Sequence, residues 1–249
     1  MYLQIKNITK EWITKEGVKT TLKNISLDVK EGELICILGP SGCGKSTLLQ
    51  IIAGIIPQTS GEVLLKGNKI KKTCTCRALV FQKPTLYPWK TVQENISFGL
   101  MLQKASKEKI KEVVNDKVQL IGLKGYEDYY PYQLSEGMKQ RTQIARVLAV
   151  NPEIILMDEP FAALDEQLKA KFDDDLLTIW ACEKKTILFV THSIEEALLL
   201  ADKIIIMKPN PGEVYIEQQI DLPRPRNIFS TELIQLRKTL LHELSKFYN

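Results

Sequence analysis

Short apolar segments rich in β-branched residues alternate along the chain with longer segments whose apolar residues recur at helical spacing. One segment, NISLDV at residues 24–29, alternates between apolar and polar positions, which predicts a strand with one exposed face. Another, ELICIL at residues 33–38, is apolar almost throughout and predicts a strand buried on both faces. The remaining predicted strands lie at residues 153–157, 186–190 and 203–207. Strands separated by helices predict an α/β fold.

The segment between about residues 88 and 149 has a different pattern. It contains helical spacing at residues 91–102 and 106–123 and again after Ser135, without a convincing strand between them. This pattern predicts a helical insertion into the α/β core. After the chain break at DLPRPR, residues 221–226, a closing amphipathic helix is predicted. Its apolar stripe consists of Leu233, Leu236, Leu240, Leu244 and Phe247.

Composition and charge narrow the class of protein only a little. The net charge of +4, from 34 basic and 30 acidic residues, is too small to indicate a nucleic-acid partner. Apolar runs are too short to span a bilayer, and the N-terminus lacks the apolar region of a signal peptide. We therefore expect a chain that is cytosolic or lies on the cytosolic side of a larger assembly. Its five scattered cysteines predict reduced thiols, with Cys74 and Cys76 on opposite faces of a strand.

The first motif that carries chemistry is a glycine-rich loop. GPSGCGKST fits the phosphate-loop pattern G-x-x-x-x-G-K-[ST], directly after a buried strand and before a helix. Its backbone N–H groups are expected to wrap phosphates, with Lys45 reaching the β- and γ-phosphate oxygens and Ser46 binding Mg²⁺. The predicted nucleotide-binding residues are Gly39, Pro40, Ser41, Gly42, Cys43, Gly44, Lys45, Ser46 and Thr47.

Two later strands end in residues suited to hydrolysis. The strand EIILM is followed by Asp158 and Glu159, at the carboxyl edge of the sheet where such folds bind ligands. Asp158 is predicted to contribute to the magnesium shell, and Glu159 to polarise an attacking water. The next strand is followed by His192, for which we expect a contact with the γ-phosphate.

Taken in chain order, GPSGCGKST, Gln82, LSEGM, LMDEP, the LD that contains Asp165, and His192 resemble the motifs of the ATP-binding subunit of ATP-binding cassette (ABC) transporters. The resemblance implies a P-loop NTPase core of ABC-ATPase type with an antiparallel β part and an inserted helical subdomain. It places the ATP-binding core at residues 1–87 and 151–222. The helical subdomain with the signature motif would be 88–150, and the C-terminal helical tail 223–249.

The same resemblance suggests roles for further residues, in a head-to-tail dimer that holds ATP and Mg²⁺ between two copies. Trp12 resembles the aromatic residue that stacks on adenine. Gln82 resembles the glutamine that touches Mg²⁺ and the lytic water. Glu159 resembles the general base, and Asp165 the acid that links the two sites. Ser135 and Gly137 would contact the γ-phosphate bound to the other subunit.

Finer matches indicate a subfamily. LYPWKTVQENISFGL, GMKQR, DEPFAALD and DLPRPR are similar to importers of nitrate, taurine, alkanesulfonates and related small solutes. The resemblance implies a second ATP-binding subunit (a homodimer), transmembrane permease subunits, an extracytoplasmic solute-binding protein acting indirectly, and a peripheral position on the cytoplasmic face of the membrane. Tyr87 and Trp89 would lie where the permease docks. An exporter or lipid-extracting subunit with the same hydrolysis residues is the alternative.

The signature motif contains one departure from the family pattern. Where the family usually has glycine, this chain has Glu136, between a predicted N-cap at Ser135 and Gly137. One interpretation places the Glu136 carboxylate in water, favoured there by the helix dipole. The other holds that its charge repels the incoming γ-phosphate and lowers basal ATPase activity. Both interpretations remain open from the sequence.

Overall fold

Two structural units are present in the computed structural model, which describes residues 1–161, 176–178, 180–181 and 185–247. The first unit comprises residues 1–74, 156–159 and 185–249, and the second comprises residues 75–155 and 160–184. The predicted division into core, helical subdomain and tail stays a prediction.

The first unit is built on a sheet whose central strand is β3 (Leu34–Leu38). β3 pairs in parallel with β8 (Thr186–Val190) and with β9 (Lys203–Lys208). β10 (Glu213–Gln219) is antiparallel to β9, and the strand order is β10-β9-β3-β8-β7, where β7 is Ile154–Asp158. Every residue of β3 and β8 is buried, as expected for central parallel strands covered on both faces. The predicted α/β core is therefore confirmed.

A smaller antiparallel sheet completes the strands of the first unit. It consists of β1 (Leu3–Thr14), β2 (Gly17–Val29), β4 (Ser60–Leu65) and β5 (Asn68–Lys69), in the order β2-β1-β4-β5. From residue 24 onward β2 shows the predicted alternation of buried and exposed positions. This sheet is the antiparallel part that the family resemblance implied.

Three α-helices are described in the first unit. α1 (Lys45–Ala53) begins after Gly44 and ends at Gly54, which has φ 77° and so adopts the left-handed conformation that glycine tolerates. α5 (Ile194–Leu200) follows β8 directly. The last helix is α6 (Thr231–Ser245). Of its predicted apolar stripe, Leu233, Leu240 and Leu244 are buried, and Leu236 and Phe247 are half-buried.

Within residues 75–155, the second unit contains β6 (Arg77–Val80) and three α-helices: α2 (Val92–Leu102), α3 (Lys107–Leu120) and α4 (Glu136–Ala149). Between residues 88 and 150 the chain is helical, with a short 3₁₀ turn at Pro131–Gln133 and no strand, as the periodicity predicted. α2 starts in a capping box, because Thr91 and Glu94 each bond the other's backbone N–H. The helices enclose their own apolar core, which includes Val92, Ile96, Leu100, Val118, Leu134 and Ala145.

The cysteine prediction was wrong in two respects. Cys74 and Cys76 lie in the irregular segment and turn before β6 rather than on a strand. Both are disulfide-bonded, whereas the sequence predicted reduced thiols. Cys36 and Cys43 are buried and do not form disulfides, and Cys182 lies outside the described residues.

Helices long and apolar enough to cross a membrane do not occur among the described residues.

Candidate functional site

The phosphate loop connects β3 to α1 and encloses the side chain of Lys45. Lys45 is only 5% exposed, and its Nζ donates hydrogen bonds to the carbonyl oxygens of Gly39 at 2.7 Å and Pro40 at 3.1 Å. The loop's own carbonyls thus hold the ammonium group, which must exchange them for other oxygens to reach a ligand. The position of the lysine at a strand-loop-helix junction is the one that the sequence predicted.

Glycine is required at two points of this loop by space as well as by conformation. Gly39 has φ 153°, and a Cβ there would lie 2.5 Å from the Met207 carbonyl oxygen. Gly44 has φ 96°, and a Cβ would meet the Leu22 side chain at 2.5 Å. Both glycines therefore let the loop pack closely against neighbouring strands of the first unit.

Ser46 and Asp158 form the first polar pair of the site. The Ser46 hydroxyl donates to Asp158 Oδ1 at 3.0 Å, joining the first residues of α1 to the end of β7. Burial, more than the opposing Ser46 hydrogen bond, raises the pKa of Asp158, and the neighbouring Glu159 adds to that effect. A cation placed beside this carboxylate would be electrostatically favoured.

The oxygen donors of Ser46 and Asp158 fit Mg²⁺. Among the residues that the structure describes, no cluster of three or more His, Cys, Asp or Glu side chains is arranged to hold a metal ion. Mg²⁺ usually takes one or two protein oxygen ligands and completes its octahedron with water and substrate phosphates. A hydroxyl and a carboxylate 3.0 Å apart, at the mouth of a phosphate loop, suit that mode of binding.

Glu159 and His192 form the second polar pair. Glu159 Oε1 lies 2.6 Å from His192 Nε2. Glu159 has φ 47°, a left-handed conformation that is costly for a residue with a side chain, and its N–H donates to the Val190 carbonyl oxygen at 3.0 Å. The strained backbone turns the carboxylate toward His192 at the end of the next strand.

A single cavity of about 220 Å³ collects these groups. It is lined by Thr21, Ser41, Gly42, Gly44, Lys45, Ser46, Thr47, Glu159 and His192. The predicted phosphate loop, base and histidine therefore meet at one place. Cys43 faces inward from the loop, and burial raises the pKa of its thiol despite the opposing charge of Lys45, so the thiol stays protonated.

Trp12 lies on β1, and its side chain is 42% exposed. One face of its indole is covered by Lys10, whose Nζ is 4.2 Å from the ring centroid and donates to the Pro57 carbonyl oxygen at 2.8 Å. An exposed aromatic ring held by a cation is a suitable platform for a planar base.

Gln82 belongs to the second unit, in the exposed segment after β6. This segment is tied to α4 by two residues that the sequence reasoning missed. Gln143 accepts the N–H of Thr85 at 2.5 Å and donates to the Phe81 carbonyl oxygen at 3.1 Å. Arg146 donates to the Thr85 carbonyl oxygen at 2.8 Å. A glutamine on the apolar face of α4 was the available signal, because a buried amide needs a defined partner.

The start of α4 carries the other predicted residues of the second unit. Ser135 is the N-cap, and its Oγ accepts the N–H of Met138 at 3.3 Å, as predicted. Ser135 is exposed, whereas Gly137 is buried. Glu136 forms an ion pair with Lys139 at 2.7 Å, with side chains 60% and 25% exposed. The unusual carboxylate is therefore paired within its own helical turn. Asp165 lies outside the described residues.

Comparison with known proteins agrees with this arrangement. Residues 22–162 match the model of the ABC transporter family. An uncharacterized ABC transporter ATP-binding protein of Methanocaldococcus jannaschii is 47% identical, over 97% of this chain and 91% of that protein. The aliphatic sulfonates import ATP-binding protein SsuB of Bacillus thuringiensis subsp. konkukian is 40% identical over 98% of this chain and 96% of its own. The nitrate import ATP-binding protein NrtD of Synechocystis is also 40% identical, over 90% of this chain and 84% of that protein.

A solved structure extends the likeness to the fold. It is the dimeric post-hydrolysis state of an ATP-binding cassette bound to ADP and phosphate, with a TM-score of 0.78 and 34% identity. The match covers 89% of this chain and 100% of the chain in the solved structure. With the phosphate loop, the acidic strand end and the histidine around one cavity, these matches identify the chain as a member of the ABC transporter family, in the class of its ATP-binding subunits.

Proposed function

We propose that this chain is the ATP-hydrolysing subunit of an importer that takes up a small oxyanion, such as a sulfonate or nitrate, through a separate membrane permease. Its family membership makes it an ATPase. The observation that carries the proposal is the grouping of Lys45, Glu159 and His192 around one cavity of about 220 Å³. The import direction and the solute are supported by the relatives that import sulfonates and nitrate.

Phosphate binding falls to the loop between β3 and α1. On binding, Lys45 exchanges the Gly39 and Pro40 carbonyls for phosphate oxygens, and the loop N–H groups surround the β-phosphate. Ser46 and Asp158 would hold Mg²⁺. The ion supplies positive charge that offsets the charge of the phosphates when it is bound. Lys45 and the first turn of α1 add to the same positive field.

Hydrolysis falls to the Glu159–His192 pair. The Glu159 carboxylate orients a water and accepts its proton as the water attacks the γ-phosphate. His192, within hydrogen-bonding distance of that carboxylate, fixes its direction. The same histidine would contact the γ-phosphate. Because the carboxylate is held by a strained backbone and by His192, it is oriented before substrate arrives.

Two copies are needed for a complete site. Ser135 and Gly137 would contact the γ-phosphate of the nucleotide bound by the other copy, and Asp165 would link the two sites. Trp12 would stack on the adenine of the nucleotide bound by the same copy. The dimeric ADP-and-phosphate structure supports this arrangement, because it is a cassette of the same fold at 34% identity. A start of α4 capped by Ser135 presents backbone N–H groups suited to an anion.

The permease would dock on the second unit and hold the chain at the cytoplasmic face of the membrane. Trp89, 70% exposed, stands next to the N-terminus of α2, and its ring centroid lies 5.7 Å from that of Tyr87. α2 and α3 border a groove of about 450 Å³, with Met101, Ile110 and Val114 among its apolar lining. Exposed aromatic and apolar side chains of this kind are enriched in the centres of protein interfaces.

Uptake by reconstituted complexes tests the proposal. The chain is co-expressed with a candidate permease, combined with a candidate solute-binding protein, and placed in proteoliposomes with ATP on the cassette side. We expect ATP-dependent uptake of an alkanesulfonate or nitrate, and none with Glu159→Gln. Movement of solute only in the opposite direction, or hydrolysis without a neighbouring solute-binding protein, would favour the exporter alternative.

A further inference from the structure

The turn that carries His192 is fixed by hydrogen bonds on both sides of the histidine. The buried Thr191 hydroxyl donates to Glu196 Oε2 and accepts the N–H of Ser193 at 3.0 Å. The Ser193 hydroxyl accepts the N–H of Glu196 at 3.2 Å and lies 3.4 Å from Glu195 Oε2. Since the neighbours of His192 on each side are held by the first turn of α5, the imidazole position depends on where that turn lies.

The first turn of α5 is in turn bound to the last helix. Arg237 of α6 donates from Nε to Glu195 Oε1 at 2.6 Å, with side chains 45% and 46% exposed. Partial burial acts to raise the pKa of Glu195, but the hydrogen bonds from Arg237, from the backbone and from Ser193, together with the charge of Arg237, outweigh it and lower the pKa. The carboxylate that touches both Arg237 and Ser193 is therefore charged at neutral pH.

α6 is anchored independently of this ion pair. Leu233, Leu240 and Leu244 bury its apolar stripe. At its end, the ring of Phe247 packs edge-on against Tyr215 of β10, at a centroid distance of 5.0 Å. A helix fixed at these points presents the Arg237 guanidinium at a defined place, so that the ion pair positions Glu195 rather than the reverse.

We propose that Arg237 and Glu195 are positioning residues for ATP hydrolysis, through which the C-terminal helix α6 holds the turn that carries His192. The inference rests on the proposed role of His192. It gives a function to a helix outside the nucleotide site. The chain of contacts runs from Arg237 to Glu195, to Ser193, and so to the histidine that pairs with Glu159.

The test compares Arg237→Gln with Lys238→Gln in the full-length protein. Lys238 is an exposed cation one residue further along the same helix and serves as the matched control. An exposed ion pair couples weakly, so we expect the kcat of ATP hydrolysis to fall about fivefold in Arg237→Gln. KM and the melting temperature should stay close to those of the unaltered protein. Arg237→Lys should retain most of the activity, because it keeps a donor and the charge.

Two further variants separate positioning from general damage. The charge exchange Glu195→Arg with Arg237→Glu should recover part of the kcat that either single change loses. In a His192→Ala background, Arg237→Gln should have no additional effect, because the group it positions is absent. An unchanged kcat in Arg237→Gln, an equal loss in Lys238→Gln, or a full additional loss in the His192→Ala background would each overturn the inference. If His192→Ala itself leaves kcat unchanged, the proposed role of His192 fails instead.

Discussion

Glu159 Oε1 lies 2.6 Å from His192 Nε2, so the proposed base and the histidine of the site are hydrogen-bonded to each other. The two residues follow adjacent strands of the same sheet, and the N–H of Glu159 donates to the carbonyl oxygen of Val190, two residues before His192. The positive φ of Glu159 is a strained conformation, and the contacts with His192 and Val190 hold the backbone in it. A pair arranged in this way acts as one unit.

We expect the Glu159 and His192 substitutions to be strongly non-additive. Glu159→Gln removes the proton acceptor and should lower kcat by about 10²- to 10³-fold while ATP still binds. His192→Ala should have a smaller effect, since the base remains but loses its orientation. The double variant should be no slower than Glu159→Gln alone.

Steady-state ATPase assays and nucleotide titrations of the three variants measure this coupling. Size-exclusion chromatography of Glu159→Gln with ATP should also reveal a stable dimer, because closure is no longer followed by hydrolysis. If the losses of kcat multiply in the double variant, Glu159 and His192 do not act as one unit. A Glu159→Gln protein that remains monomeric with saturating ATP would contradict the role of Glu159 as the base.

The parts of this site that the sequence predicted are those defined by local chain geometry. Lys45 follows a strand and precedes a helix, and Asp158 and Glu159 end an apolar strand, so their meeting at one sheet edge follows from parallel strand topology. Ser135 was predictable as an N-cap from residue type alone, and its hydroxyl does cap α4.

The parts that the sequence did not predict depend on contacts between distant segments. The position of Gln143 on the apolar face of α4 indicates that its amide needs a partner, but nothing local identifies Phe81 and Thr85, about sixty residues earlier in the chain, as that partner. The partner of Glu195 is Arg237, forty-two positions away, and an exposed arginine looks the same in sequence whether it is paired or free. Cys74 and Cys76 were misjudged because composition indicates a compartment, whereas the bond depends on local approach.

The ion pair between Glu136 and Lys139 supports the interpretation in which Glu136 does not repel the phosphate. With its charge offset at 2.7 Å, Glu136→Gly should change the basal ATPase rate by less than about twofold. Lys139→Ala should lower the rate more, because it exposes the carboxylate beside the start of α4. High salt should restore the rate of Lys139→Ala, since exposed charges are screened.

The control for this prediction is Lys139→Ala combined with Glu136→Gly, in which no carboxylate remains to be exposed. Its rate should equal that of Glu136→Gly at every salt concentration. A large rise of activity in Glu136→Gly alone, strongest at low salt, would instead support repulsion of the incoming γ-phosphate.

Gly212 is expected to set the position of the phosphate loop. Its N–H donates to the Thr21 carbonyl oxygen at 2.9 Å, and its own carbonyl accepts the N–H of Lys23 at 2.9 Å. A Cβ at this position would overlap the Cys43 carbonyl oxygen, so that Gly212→Ala must displace the loop. We expect ATP affinity to fall by about tenfold or more, since small displacements of binding groups are costly.

Fluorescent-nucleotide titration and thermal unfolding distinguish a displaced loop from a weakened fold. Gly67→Ala is the matched control, because Gly67 has φ 77° but a Cβ there meets no atom within 4 Å. That change should lower stability by about 1 kcal/mol without altering ATP affinity. Equal affinities for Gly212→Ala and the unaltered protein would show that the loop tolerates the overlap.

Arg226 is expected to contribute stability by capping α5. Its guanidinium donates to the carbonyl oxygens of Leu198 at 2.8 Å, Ala201 at 2.6 Å and Leu222 at 3.1 Å. Carbonyls at the end of a helix have no partner within the helix, and a cation there is also favoured by the dipole. Arg226→Met keeps most of the apolar stem but removes every donor. We expect a loss of about 2 kcal/mol and a melting temperature lower by about 4–8 °C.

The pKa of Arg226 sets how the stability lost in Arg226→Met depends on pH. Burial, and then the charge of Arg224, lower the pKa of Arg226 from its ordinary value to about 10. A base whose pKa is lower in the folded protein keeps its proton in both states at every pH well below that value. The difference in stability between Arg226→Met and the unaltered protein should therefore be constant between about pH 6 and pH 8. Urea unfolding at several pH values measures it, with Lys238→Met as an exposed control that should change stability by less than about 0.5 kcal/mol.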